Sequence, residues 1–227
     1  MSSASGKEAA GRAAARLVQD GMRIGLGTGS TAHWFIVAVG EAVRSGLRVQ
    51  AVATSEGSTR LAADLGIEIV ELDRSGLDLA VDGADLVDPK LRLVKGGGGA
   101  HVRERIVAAS SRRFVVVVDS SKLVPTLRGP VPVEILEFGA GATLAALEAC
   151  GAPFQVRTDA QGRPRVSDSG NLLADGQFDV IPDPETLARR LDAVPGAVGH
   201  GLFLGMADLV IVGDDAGGIR ELATAAG

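Results

Sequence analysis

Arg23-Ile24-Gly25-Leu26-Gly27-Thr28-Gly29-Ser30-Thr31-Ala32 is the stretch whose reading decides the fold. Residues 24–26 read as a short strand, 27–31 as a glycine turn, and 32–44 as a helix. Strand, glycine turn and helix start form a phosphate-binding arrangement. Bare backbone comes close to an anion, and the first N–H groups of the helix face it along the favourable end of the dipole. The hydroxyls of Thr28, Ser30 and Thr31 add donors around Gly29. No Gly-Lys-Ser/Thr follows, so the loop is not a Walker A motif. The loose dinucleotide pattern Gly27-x-Gly29-x-x-Ala32 is met, yet Glu56 lies further along than the roughly 20 residues expected for a ribose-binding acid. A small phosphate ester fits better, and the bland alternative is a tight turn with a Ser/Thr helix cap.

Outward from that turn the chain alternates. Residues 7–20 form a helical pattern with Ala10, Ala13, Ala14, Leu17 and Val18 on one stripe and Gly21 as its stop. Strands are expected at 49–53, 67–70, 77–81, 91–94 and 113–119, with helices at 57–65 and at 100–111, the latter burying Val102, Ile106 and Ala109. Interleaved strands and helices predict an α/β fold: a doubly wound, mostly parallel Rossmann-like sheet with its ligand at the carboxyl ends of the strands. From about residue 131 the texture becomes mixed α+β, and at 207–212 a buried strand returns. Residues 1–130 with 206–227 are therefore expected to form the catalytic domain, and 131–205 a smaller inserted α+β domain.

The chemistry concentrates between Asp82 and Glu104. Asp82-Gly83-Ala84-Asp85 follows one strand, Lys95 ends another, and Gly96-Gly97-Gly98-Gly99 leads into the helix that carries Glu104. Four successive glycines are costly in backbone entropy and need a reason. Asp82 and Asp85 alone could be turn residues, and Glu104 an ordinary helix-start glutamate. Lys122 ends a further buried strand segment and is a second cation candidate, against the plainer reading of a solvated lysine. Together, a phosphate loop, carboxylates and a lysine suit proton transfer on a phosphorylated sugar. A base takes a C–H proton, a cation and N–H groups hold the enediolate, and a further acid moves the oxygen protons.

Composition excludes other classes. The 227 residues carry a net charge of −5, with 3% aromatics and no Tyr, against nucleic-acid binding. No long apolar run suggests a membrane span, and the N-terminus lacks the order of a signal peptide, so a cytoplasmic protein is expected. The single Cys150 falls in an apolar helical pattern and reads as an inert buried thiol. His200 reads as a surface or subunit-contact residue.

The motifs Gly27-Thr-Gly-Ser-Thr31, Asp82-Gly-Ala-Asp85, Lys95-Gly-Gly-Gly with Arg103-Glu104, and Ser121-Lys122 followed by Pro132-Val-Glu134 together resemble the A type of ribose-5-phosphate isomerase. The likeness continues through Asp168-Ser-Gly-Asn171, Pro195-Gly196 and Gly201-Leu-Phe203. It implies interconversion of ribose 5-phosphate and ribulose 5-phosphate in the pentose phosphate pathway, without metal or organic cofactor. By motif, Glu104 would accept the C2 proton, Asp82 would assist ring opening and oxygen proton transfer, and Lys95 would steady the oxyanion; residue chemistry by itself makes Asp82 and Asp85 available for the hydroxyl protons and for orienting the lysine. The phosphate would sit on residues 28–31 with Lys7 and Lys122 as cations. The resemblance also implies a homodimer or homotetramer. Gly99, Ser167 and Glu137-Phe138 depart from the common pattern and bear on subunit contacts rather than chemistry. Two rivals stay open: a sugar-phosphate sensor, and a related enzyme such as a coenzyme A transferase or an amino-sugar phosphate deaminase, for which His101 would be the local histidine.

Overall fold

The structure, a computed structural model, describes residues 4–223. In chain order its elements are α1 (Ala4–Ala15), β1 (Arg23–Leu26), α2 (Ser30–Arg44), β2 (Gln50–Ala53), α3 (Glu56–Asp64), β3 (Glu68–Ile69), β4 (Leu79–Asp82), β5 (Leu86–Val87), β6 (Leu93–Val94), α4 (His101–Ala109), β7 (Phe114–Asp119), a 3-10 turn (Ser120–Lys122), β8 (Gly129–Ile135), α5 (Ala140–Glu148), β9 (Phe154–Val156), β10 (Leu172–Phe178), α6 (Pro184–Asp192), β11 (Ala197–His200), β12 (Leu202–Phe203), β13 (Leu209–Gly213) and β14 (Ile219–Ala223). They divide into two units. The first takes the chain up to Ala84, Arg103–Leu123 and the part from Gly205 onward; the second takes Asp85–Val102 and Val124–Leu204.

The first unit is built on strands that cannot face water. Phe-Val-Val-Val-Val-Asp in β7 and Leu-Val-Ile-Val-Gly in β13 are buried at every residue, as strands of a parallel sheet covered on both faces are. The seven strands run in the order β14-β13-β7-β4-β1-β2-β3. All pairs are parallel except β13 with β14, an exposed antiparallel edge carrying Arg220 and Glu221 that the sequence pattern does not signal. Ile24, Leu26, Phe35, Ile36, Val115, Val117 and Ile211 lie in its core. Phe35 is fully buried, so Phe35→Ala should cost about 3–5 kcal/mol in urea unfolding. Helix α1 stops at Ala15 rather than at residue 20. Asp20 accepts from the Arg48 backbone N–H and guanidinium, and the Gly21 N–H donates to Arg48 O at 2.7 Å, which ties residues 20–21 to the start of β2 and away from the helix axis.

The second unit holds a four-stranded antiparallel sheet, β11-β8-β10-β9, and a three-stranded one, β12-β6-β5. Val131, Val133, Ile135, Leu147, Leu191 and Leu202 anchor its core, with Cys150 buried beside them. Its boundaries differ from those read in the sequence, because residues 85–102 and 124–130 belong to it. The reason is β-pairing: β6 runs antiparallel to both β5 and β12, and Val124 N donates to Val87 O at 2.9 Å. Leu91 is not in the strand, since its φ of 57° puts it in a turn. Asp88 closes that turn by accepting from the N–H groups of Lys90 and Arg92 and from the Arg92 guanidinium. His200 is 2% exposed rather than at the surface. Its Nδ1 accepts from Leu202 N, and its Nε2 lies 3.2 Å from Asp192 Oδ1.

Candidate active site

In the first unit, the register of β1 against β4 places Leu26 opposite Val81, so Gly27 and Asp82 lie side by side at the carboxyl edge. Asp82 is 3% exposed, and its Oδ1 accepts the N–H of Thr28 at 2.9 Å and of Gly83 at 2.7 Å. The Thr28 hydroxyl lies 2.7 Å from that of Thr54 and 2.8 Å from that of Ser55, while Ser58 Oγ donates to Gly27 O at 2.7 Å. No sequence motif marks Thr54, Ser55 or Ser58 as site residues. Their signal is positional: they follow β2, the parallel neighbour of β1, at the edge where a doubly wound sheet binds ligands.

Helix α2 begins at Ser30, two residues earlier than expected, with Gly29 as its N-cap and no side chain capping it. The bland reading of a Ser/Thr cap therefore does not hold, and the first N–H groups are not occupied by a capping side chain. Lys7 Nζ donates to Ser30 Oγ at 2.9 Å, so α1 delivers its ammonium to the start of α2. Thr31 is buried. Lys122 ends the 3-10 turn that Asp119 caps through Ser121 N at 3.0 Å, at the carboxyl edge of β7.

Glu104 lies in the first turn of α4 and is 4% exposed. The buried face of α4 carries His101, Glu104, Val107 and Ala108, whereas Ile106, expected inside, is half exposed. The missing side chain of Gly25 causes the offset: a Cβ there would lie 2.5 Å from Val107 Cγ1, so Val107 packs directly on β1 and turns Glu104 inward with it.

In the second unit, Asp85 N donates to Val94 O, and its Oδ2 accepts Gly97 N at 2.8 Å. Gly96 and Gly99 have φ of 102° and 87°, which answers the sequence question of why glycines are needed there. Gly99 N closes the turn on Gly96 O at 2.9 Å, and Gly98 is exposed. Lys95 is 2% exposed, its N–H bonded to Gly201 O and its Nζ 5.4 Å from the Phe203 ring centroid. Arg157, which no sequence motif marks, donates to the carbonyls of Gly96 and Gly97.

The sequence model of ribose 5-phosphate isomerase A (phosphoriboisomerase A) matches residues 50–217. The chain belongs to that family. It is 47% identical over 219 residues to ribose-5-phosphate isomerase A of Parvibaculum lavamentivorans, covering 93% of this chain and 95% of that one. It is 50% identical over 222 residues to that of Roseiflexus sp., covering 95% and 94%. The solved structure of ribose 5-phosphate isomerase A from Methanocaldococcus jannaschii is similar at TM-score 0.90, with 39% identity and 96% of this chain and 97% of that one covered. A D-ribose-5-phosphate isomerase in complex with phospho-erythronic acid is similar at TM-score 0.91, with 37% identity and the same coverage.

Membership of the ribose 5-phosphate isomerase A family makes the chain an aldose–ketose isomerase that interconverts ribose 5-phosphate and ribulose 5-phosphate. Within the first unit, Lys7, Thr28, Gly29, Ser30 and Asp82 are brought together by direct bonds or adjacency. Within the second, Asp85 and Gly97 are bonded directly, and Lys95, Gly96 and Gly98 adjoin them along the chain. His101, the residue a deaminase would need, is fully buried, with Nε2 3.3 Å from Gly199 O. Among the described residues no group of three or more His, Cys, Asp or Glu is placed to hold a metal ion, and no helix is long and apolar enough to cross a membrane.

Proposed function

We propose that Glu104 is the base of the isomerisation. It removes the C2 proton of the open-chain aldose, the electron pair forms the C1–C2 double bond of an enediolate, and the same carboxyl returns the proton to C1 to give the ketose. The Lys95 ammonium holds the developing oxyanion, Asp82 assists ring opening and the transfer of the proton between O2 and O1, and Asp85 orients the loop that follows Lys95. The phosphate is held by residues 28–31 and Gly83-Ala84 flank the sugar, with Lys7 and Lys122 supplying positive charge. The observation that carries this reading is the near-complete burial of Glu104 in the first turn of α4, on the face that Val107 docks against β1. Burying a carboxylate costs solvation free energy, and base chemistry gives this one a reason.

The reading extends to a cytoplasmic enzyme of the pentose phosphate pathway that acts without metal or organic cofactor and binds neither nucleic acid nor membrane. It also extends to assembly as a homodimer or homotetramer through the second unit. The 93% exposed Phe138 just ahead of α5, with the exposed Leu136 near it in the chain, supports that surface.

The decisive experiment is proton NMR of the EDTA-treated protein with ribose 5-phosphate in deuterated water. Ribulose 5-phosphate should appear with deuterium at C1, and recovered ribose 5-phosphate should carry deuterium at C2. A sugar phosphate that binds while its C2 proton stays in place would leave the sensor reading standing. Ammonia released from glucosamine 6-phosphate would favour the deaminase.

A further inference from the structure

The glycine loop after Lys95 is gripped from outside by a group that no step above uses. Arg157 follows β9, and its backbone is fixed on both sides: its N–H donates to Leu173 O at 2.7 Å and its carbonyl accepts from Arg165 N at 2.8 Å. Its guanidinium is shared between two tasks. Nε and Nη2 hold the Asp175 carboxylate at 2.9 and 2.6 Å, and Nη1 donates to the carbonyls of Gly96 at 3.2 Å and Gly97 at 3.0 Å. Asp175 sits on β10 opposite Gln155 of β9, so the pair is braced by the sheet itself. Both side chains are largely buried, at 13% and 20% exposure.

These bonds define two peptide planes. The first, between Gly96 and Gly97, has its carbonyl on Arg157 and its N–H on Asp85 Oδ2 at 2.8 Å, so it is fixed at both ends. The second, between Gly97 and Gly98, has its carbonyl on Arg157. In a planar trans peptide the N–H points opposite to the carbonyl. The Gly98 N–H is therefore turned away from Arg157, on the exposed side of the loop, and the cation on its carbonyl polarises it as a donor.

We propose that Arg157, braced by Asp175, is a positioning residue that aims the Gly98 N–H as a second oxyanion donor beside Lys95. The proposal rests on the reading of residues 95–99 as the oxyanion-holding part of the site. A glycine loop has little stiffness of its own, and a donor adds to catalysis only if it is held where charge develops. Arginine suits the task because its planar fork bridges a carboxylate and two carbonyls at once, which lysine cannot do.

The test compares Arg157→Gln, Arg157→Lys and Asp175→Asn with the unaltered chain, well below each melting temperature. The readouts are kcat and KM for ribose 5-phosphate and inhibition by phospho-erythronic acid and by inorganic phosphate. Arg157→Gln should lower kcat by about tenfold or more, short of the roughly 10²–10³ lost when an oxyanion donor is removed outright. KM and inhibition by inorganic phosphate should stay within about twofold, and binding of phospho-erythronic acid, whose carboxylate imitates the enediolate, should weaken with kcat. Arg157→Lys and Asp175→Asn should fall between. Backbone hydrogen exchange at Gly97, whose N–H is bonded to Asp85, should speed up in all three. Variants that melt earlier yet keep kcat and phospho-erythronic acid binding would show Arg157 to be a fold brace and overturn the proposal. Lys95→Met separates the two layers: lost turnover there with unaltered Arg157→Gln kinetics overturns the Arg157 role alone, whereas retained turnover overturns the site reading beneath it.

Discussion

Glu104→Gln is expected to lower kcat by about a thousandfold, within the roughly 10²–10⁴ that a positioned general base contributes. The amide has the size and nearly the shape of the carboxyl but cannot take a proton from carbon. Glu104 is 4% exposed on the inner face of α4, so an isosteric change is needed to isolate chemistry from packing. Circular dichroism, the melting temperature and inhibition by inorganic phosphate should stay close to those of the unaltered chain, because the groups proposed to hold the phosphate lie on the loop after β1. KM should change little, which marks an interaction made in the transition state rather than in the ground state. Turnover within a few-fold of normal would remove Glu104 from the role and leave it a buried helix-start glutamate.

The parallel sheet was legible because its strands carry the pattern of burial on both faces. The run Phe-Val-Val-Val-Val admits no other element, and the glycine turn after Leu26 announces a helix start. The Gly27 turn and Asp82 were legible for a related reason: carboxyl-end positions of parallel strands are where side chains are spared from packing. Less visible was everything set by pairing between distant segments. Strands β5 and β6 are only two residues each, and nothing local reveals that β6 pairs with β5 and β12 rather than joining the parallel sheet. The face of α4 was misread because hydrophobicity favours Ile106, whereas the space left by Gly25 admits Val107. The hydroxyls of Thr54, Ser55 and Ser58 and the guanidinium of Arg157 were missed for one cause. Each acts by touching a backbone or side chain far away in sequence, and no spacing rule encodes such a contact.

Gly27→Ala is expected to be among the most damaging single-methyl changes in the first unit. An added Cβ would lie 2.1 Å from Asp82 Oδ1, 2.3 Å from its Cγ and 2.5 Å from its Cα. The last contact is with backbone, so turning the Asp82 side chain cannot relieve it, and β1 and β4 would have to part where Leu26 and Val81 are paired. Overpacking of this kind costs about 1–3 kcal/mol and more where backbone must move. The functional loss should exceed the loss of stability. Displacing Gly27 moves Thr28, whose N–H holds Asp82 and whose hydroxyl meets Thr54 and Ser55, and it pulls Gly27 O off Ser58. Turnover should drop by about a hundredfold or more, since displacements near 1 Å at a catalytic group carry that penalty. Gly141→Ala gives the contrast. That glycine lies inside α5 with open space around its Cβ position, so alanine there should leave turnover unchanged and raise stability by about 0.5–1 kcal/mol. Urea unfolding and steady-state kinetics on the pair would separate the general effect of glycine replacement from the close approach of two strands that positions Asp82. Equal behaviour of the two variants would mean that this approach is not what holds the carboxylate in place.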